Sequence, residues 1–226
     1  MSTQLPHIYT ALLDVLAYRE HLKRDQDAGL LAFQEKLSAS LQIFDSVNES
    51  EFGVQAISDT IILTCNAHEK FPEFLLLIRK VFVAFLGQRL FVRGGIAYSR
   101  HFQNKHLTYS HAIARAHEIE STMAIYPRIV IDENIIRMYE IGTDLPKLKN
   151  SGFLSIQNGV HFLDVLTKDN WTHVRDAAKM IYEDSIDQLR GNESAFMKHV
   201  MFERYLLNSQ YAPLGAVAYT QKTTQA

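Results

Sequence analysis

The order in which two kinds of apolar periodicity alternate constrains this chain most. Runs rich in β-branched and aromatic residues predict strands at 7–14 and 90–99, a short one at 127–132, and two strands over 52–65 meeting at Ser58-Asp59. Helical spacing fills the gaps, over 17–48, 69–87 and 108–124. The first helix carries Leu22, Leu30, Leu31, Phe33, Leu37, Leu41 and Phe44 on its apolar stripe and loosens near "DAG" (27–29); Gly87 reads as the residue that closes the second. The stretch "IGTDLPKLKNSG" (141–152) reads as a loop. After it, "FLSIQ" and "GVHFLDVL" predict a hairpin around Asn158-Gly159, and two helices fill 170–210, parted near "RGNES".

This order predicts an α+β architecture, a ferredoxin-like βαββαβ core with an extra C-terminal hairpin and helices. It also predicts one domain over 1–226, with its core at about 7–166 and a helical appendage at about 170–210. In such a core the first strand lies beside the central hairpin. Asp14, at the end of "YTALLDV", and Asp59, inside "VQAISDTIIL", then become neighbours.

A carboxylate on an apolar strand is costly unless something binds it, and two close together do not both stay ionised without a partner. Taken singly, each aspartate reads as a solvated residue at a strand end. Taken together they point to shared cations, because Mg²⁺ and Mn²⁺ accept a few carboxylates plus substrate phosphates. A two-ion site of that kind suits in-line displacement at phosphorus.

Composition removes several alternatives. With 23 basic against 25 acidic residues and a formal charge of −2, no global field recruits nucleic acid or an anionic membrane. The greasiest window, "FPEFLLLIRKVFVAFL" (71–86), is short and interrupted by Arg79 and Lys80, so no membrane span is expected. The first residues, "MSTQLPHIYT", carry no signal-like pattern, and a cytoplasmic location is the expectation. A lone cysteine, Cys65, forms no internal disulfide and reads as a small buried hydrophobe. His101, His106, His111 and His117 crowd one region without helical metal-site spacing, and no GxSxG or Walker-type loop is present.

Five stretches, "LLDVLAYRE", "AISDTIIL", "FVRGGIAYS", "AIARAHEIE" with "YPRIVID", and "GVHFLDVL", occur in an order that resembles the bacterial pyrimidine nucleotide cyclases of Pycsar anti-phage defence. These are relatives of the class III adenylate and guanylate cyclases. The resemblance runs through "KHVMFERYLLN" (198–208) in the last helix. It implies a homodimer with nucleotide sites at the interface and two Mg²⁺ or Mn²⁺ ions per site, with Asp14, Val15 and Asp59 as the metal-site residues. It implies UTP as substrate and cUMP as product, or cCMP as the alternative, and a separate effector protein that reads the cyclic nucleotide. Backbone N–H groups of Val15, Leu16, Ala17 and Tyr18, where the chain opens a helix, would suit phosphate oxygens.

In purine cyclases the position four before the second metal aspartate recognises the base. Here it is Gln55, whose amide meets either uracil or cytosine and equally suits a polar patch at a dimer interface. The Asn and Arg that purine cyclases place in the helix at 108–124 correspond to Ala114 and Glu118, with Glu120 taken as the acidic residue ending that motif. Transition-state charge would then fall to Arg93 or Arg115, either of which also reads as a structural ion pair. Ala17 stands where relatives commonly carry glycine. Two other readings stay open: a catalytically silent, cyclase-like dimeric binding module, and a general metal-dependent nucleotidyl or phosphoryl transferase.

Overall fold

The computed structural model describes residues 5–220; the polar end after Thr220 lies outside the described residues. The chain forms one mixed sheet in the order β2-β3-β1-β4-β6-β8-β7, with β5 paired to the outer part of β4. Strands β1 (His7–Val15), β2 (Phe52–Ile57), β3 (Thr60–Cys65) and β4 (Val92–Gln103) pair antiparallel as β4-β1-β3-β2, the order of the expected βαββαβ core. Beyond them β6 (Ile129–Ile131) runs parallel to β4, and the hairpin of β7 (Leu154–Gln157) and β8 (Val160–Leu163) closes the edge. That hairpin turns through Asn158 and Gly159 at φ 51° and 74°, the left-handed pair that an Asn-Gly turn is built to hold.

Strand β1 is buried on both faces, as its near-continuous apolar run dictates. Tyr9, Ala11, Leu13 and Val15 point into the main core, where they meet α3 (Phe71–Gly87). That helix buries Phe71, Phe74, Ile78, Val81, Phe82 and Phe85 at successive helical spacings. Each such aromatic contributes about 1.5–3 kcal/mol of burial. The C-terminal helices α7 (Trp171–Leu189) and α8 (Glu193–Leu207) join the same cluster through Trp171, Val174, Phe202 and Leu206. Leu12 points the other way, into a smaller cluster with Ala116 and Ile119 of α4 (His111–Met123).

The glycine pair of "VRGG" is explained by this sandwich. A Cβ on Gly95 would stand 2.8 Å from Ile119 Cβ and strike the Ala116 carbonyl; one on Gly94 would stand 2.6 Å from Leu13 Cδ2. The two glycines let α4 and β1 press directly onto β4.

Four local expectations are revised. The helix expected over 17–48 is two, α1 (Tyr18–Ala28) and α2 (Ala32–Leu41), because Gly29 turns left-handed at φ 63°. Gly87 is the last helical residue, and Arg89 takes the left-handed conformation after it. Residues 108–110 are not helical but form β5 (Thr108–Ser110), with the Ser110 hydroxyl then capping α4. The stretch 141–152 contains α6 (Leu145–Asn150), which follows α5 (Glu133–Ile141); Leu145 and Leu148, three apart, bury one face and make a helical turn worthwhile.

Candidate active site

Asp14 and Asp59 are brought together as expected. In the sheet Asp14 lies opposite Thr60 on one side and Arg93 on the other. Asp59 sits in the two-residue turn between β2 and β3, behind Ser58 at φ 61°. The Val15 N–H donates to the Asp59 carbonyl at 3.0 Å, which holds that turn against the end of β1. The Ser58 hydroxyl donates to the Tyr18 hydroxyl at 2.7 Å, tying the turn to the start of α1 as well.

Arg93 fills the space beside Asp14. Its Nε donates to Asp14 Oδ2 at 3.3 Å, and its Nη2 lies 2.6 Å from Glu120 Oε1 on α4. Glu120 is 4% exposed. Burial raises the pKa of both carboxyls above the ordinary value; Arg93 opposes that rise, and Asp59 adds to it in each case. Asp14 and Glu120 therefore share one guanidinium with the Asp59 charge nearby, an excess of negative charge that a cation would relieve.

The donors present are hard oxygens: two carboxylates, and for Val15 only a main-chain carbonyl. Among the described residues no group of three or more His, Cys, Asp or Glu side chains is arranged to hold a metal. A pair of aspartates fits Mg²⁺ or Mn²⁺, which keep waters and take substrate phosphate oxygens to complete their shell, and fits zinc poorly.

Both aspartates open onto a cleft of about 460 Å³, bounded by the start of α1 on one side and by α7 and α8 on the other. Cations line it. Arg89 is neutralised by Asp184 of α7 at 2.9 Å. Arg19, Arg24, Lys36 and Lys198 also line the cleft, and none of the four is in an ion pair among the described residues. Their field is felt locally. His21, stacked on Phe33 at 4.7 Å between ring centroids, is lowered to about 4 by burial and then by Arg24 and Lys36. His199 on α8 is likewise lowered to about 4 by burial and by Lys198.

The other expected residues divide. Val15, Leu16, Ala17 and Tyr18 line the cleft beside the aspartates. Two of their four N–H groups are already spent, however, Val15 on Asp59 and Leu16 on Phe91 at 2.9 Å. Only the N–H groups from Ala17 onward face an anion at this helix end, because strand-end backbone bonds claim the first two. Ala17 itself adopts φ 60°, the left-handed conformation that explains glycine at this place.

Gln55 does not line the cleft. It stands exposed on edge strand β2, opposite Ile62, on the sheet face that also carries Leu12 and Asp14. Arg115 is not in the cleft either. Its Nε donates to Asp132 at 2.9 Å and its Nη1 to Glu118 at 2.8 Å, which commits the guanidinium to an ion-pair network within the chain. Sequence reasoning missed Arg24, Lys36 and Lys198. No motif marks them, since they come from three separate helices.

No protein-family model matches the chain, and no curated protein matches it. Solved structures do. The catalytic core of a rhodopsin-guanylyl cyclase with converted specificity, in complex with ATPαS, matches with TM-score 0.45 at 13% identity, over 71% of this chain and 96% of that one. A non-canonical dimeric guanylyl cyclase domain of the RhoGC fusion protein from the aquatic fungus Blastocladiella emersonii matches with TM-score 0.45 at 13% identity, over 70% of this chain and 96% of that one. A bacterial light-regulated adenylyl cyclase matches with TM-score 0.42 at 13% identity, over 59% of this chain and 45% of that one.

Proposed function

We propose that this chain is a metal-dependent pyrimidine nucleotide cyclase, which converts UTP to 3′,5′-cyclic UMP and pyrophosphate as a second messenger in anti-phage defence. One observation carries the reading: Asp14 and Asp59, whose segments are joined by the Val15–Asp59 backbone bond, open onto a cleft with cationic side chains on both sides. The order of the five sequence stretches supports the same class.

In this reading the ribose 3′-oxygen gives its proton to solvent water and bonds the α-phosphorus, and the bond from that phosphorus to the pyrophosphate oxygen breaks, so that pyrophosphate leaves. Two Mg²⁺ or Mn²⁺ ions, when bound, supply Lewis-acid chemistry at that phosphorus and offset charge on the triphosphate. Asp14, Asp59 and the Val15 carbonyl would hold them. Arg93 orients Asp14 and opposes the rise that burial causes in its pKa, and among the described residues it is the cleft arginine paired with the carboxylates. The Ala17 and Tyr18 amides, at the start of α1, face phosphate oxygens.

The protein acts as a homodimer in this reading, with its sites at the interface. Gln55 and Ile57, the latter 57% exposed, lie on a sheet face that α4 leaves uncovered at the β2 edge. A partner seated there would bring Gln55 to the base while the aspartates act on the triphosphate. The product reaches a separate effector protein, and the cytidylate reaction is the alternative outcome.

A specific observation favours a second reading, a cyclase-like binding module without turnover. Arg115 is tied to Asp132 and Glu118, and Ala114 and Glu118 stand where purine cyclases carry Asn and Arg. Incubating the protein with each of the four NTPs and Mn²⁺, and resolving products by mass, tests both. Cyclic UMP supports the uridylate cyclase, cyclic CMP corrects only the base, and dominant cAMP or cGMP overturns the pyrimidine reading. No cyclic product from any NTP leaves the silent module.

A further inference from the structure

Lys198 belongs to α8, outside the βαββαβ core, yet it is half-buried and lines the same cleft as Asp14. Across the cleft, α1 contributes Arg24, with the exposed Arg19 at its start, and α2 contributes Lys36. Arg24 and Lys36 act together on His21. The acidic side chains of these helices that line the cleft or act on His21 are otherwise disposed: Asp25 accepts the Phe33 N–H at 2.9 Å, Asp184 binds Arg89, and Glu20 is exposed on the first turn of α1.

Arg24, Lys36 and Lys198 converge on one concavity with no acid partner among the described residues, so they repel each other. Such an arrangement is stabilised by a multivalent anion. A buried structural role would instead pair each cation with a carboxylate or carbonyl, as Arg79 is paired with the Asp164 and Gly152 carbonyls.

We infer that Arg24, Lys36 and Lys198 form a grip for a linear polyphosphate, the β- and γ-phosphates of a nucleoside triphosphate, and that α8 supplies Lys198 from the same chain. The C-terminal helices are then one wall of the substrate site. The nucleotide rests on the cyclase reading, whereas the polyphosphate grip does not. Lys198 is a positioning residue for the leaving pyrophosphate, and its loss raises KM more than it lowers kcat.

The test measures calorimetric binding of inorganic tripolyphosphate to the full chain, and separately of a non-hydrolysable UTP analogue. Variants are Lys198→Ala, Lys198→Gln, Lys36→Ala and Lys198→Arg, with Lys80→Ala on the exposed side of α3 as control. The expectation is tripolyphosphate binding that weakens about tenfold or more in each charge-removing variant. Binding stays within a few-fold in Lys198→Arg, is unchanged in Lys80→Ala, and falls as salt rises, as expected of charge-driven contacts. Circular dichroism identifies variants that remain folded, and the isosteric Lys198→Gln serves if Lys198→Ala does not. Absence of tripolyphosphate binding, or equal binding by folded Lys198→Gln, overturns the grip. Lys198-dependent binding in a protein that cyclises no NTP upholds the grip and removes the cyclase reading. Tighter binding of the UTP analogue than of tripolyphosphate assigns the site to nucleotide; the reverse assigns it to free polyphosphate and overturns the nucleotide assignment.

Discussion

The Val15 amide donates to the Asp59 carbonyl at 3.0 Å, and this one backbone bond fixes the separation of the two aspartate-bearing segments. Asp14 precedes the donor and Asp59 is the acceptor, so the backbone places both residues and Arg93 then orients the Asp14 carboxylate. The site is held by the sheet end and the adjoining turn. Side-chain substitutions there should change charge while leaving the scaffold intact.

Asp14→Asn and Asp59→Asn should each abolish turnover, by more than the ~10–100-fold typical of losses outside the direct ligand set. Asp14→Asn should also keep or raise the melting temperature. Burial raises the folded Asp14 pKa above its ordinary 3.8. Between those two values the folded state holds more protons than the unfolded state, so stability falls as pH rises through the window. Removing the carboxylate removes that loss. Melting curves of both proteins from acid to neutral pH should diverge above about pH 4 in favour of the variant, with full activity in either variant sinking the two-aspartate site.

Ala17→Gly should stabilise the protein by about 0.5–1 kcal/mol. An alanine at φ 60° bears the left-handed penalty of about 1–2 kcal/mol, which glycine escapes at some cost in unfolded-state entropy. Urea unfolding measures the difference. An unchanged or lower midpoint would show that the turn before α1 tolerates a Cβ freely.

Gly95→Ala should destabilise by about 1–3 kcal/mol, since the new methyl meets Ile119 Cβ at 2.8 Å with backbone behind it. It should also weaken the site, because Glu120 rides on the same helix. Gly87→Ala is the contrast: its nearest neighbour would be His173 Nε2 at an ordinary 3.7 Å, and helix propensity predicts a gain of up to about 1 kcal/mol. Equal effects at the two positions would refute the close-approach account.

Acid sensitivity should reside partly in His199. It is buried against Phe91 and Tyr182, beside Lys198, and its pKa falls from 6.5 to about 4. Between these values the unfolded state takes up a proton that the folded state refuses, so stability is lost as pH drops from 6.5 towards 4. The loss at pH 4 is on the order of 3 kcal/mol. His199→Gln should flatten this limb of the stability–pH curve, and a curve of unchanged shape would assign the sensitivity elsewhere.

An Asp59→Ala chain mixed with a Gln55→Ala chain should recover part of the activity that each lacks alone. Gln55 lies outside its own chain's cleft, so a site drawing its base contact from a partner regains one intact copy per heterodimer. Tagged co-purification confirms mixing. Absence of rescue in demonstrated heterodimers would mean that each site is built from one chain.

The strands, the paired order of the core and the closeness of Asp14 to Asp59 were legible because they rest on local signals. Apolar runs of strand length, a two-residue Ser-Asp turn and an Asn-Gly turn each specify their geometry within a few residues. The split at Gly29 and the short α6 were less legible, since one glycine or one Leu145–Leu148 pair changes a boundary without changing the composition around it. Arg93 and Arg115 look alike as sequence. Tertiary structure alone separates them, placing the first between Asp14 and Glu120 and the second against Asp132. Lys36 and Lys198 lie far apart along the chain and share a cleft only because α2 and α8 both pack on α3's side of the sheet, joining one core. Local periodicity determines elements and turns; long-range packing decides which charges meet, because burial and Coulomb energy depend on distance in space and not along the chain.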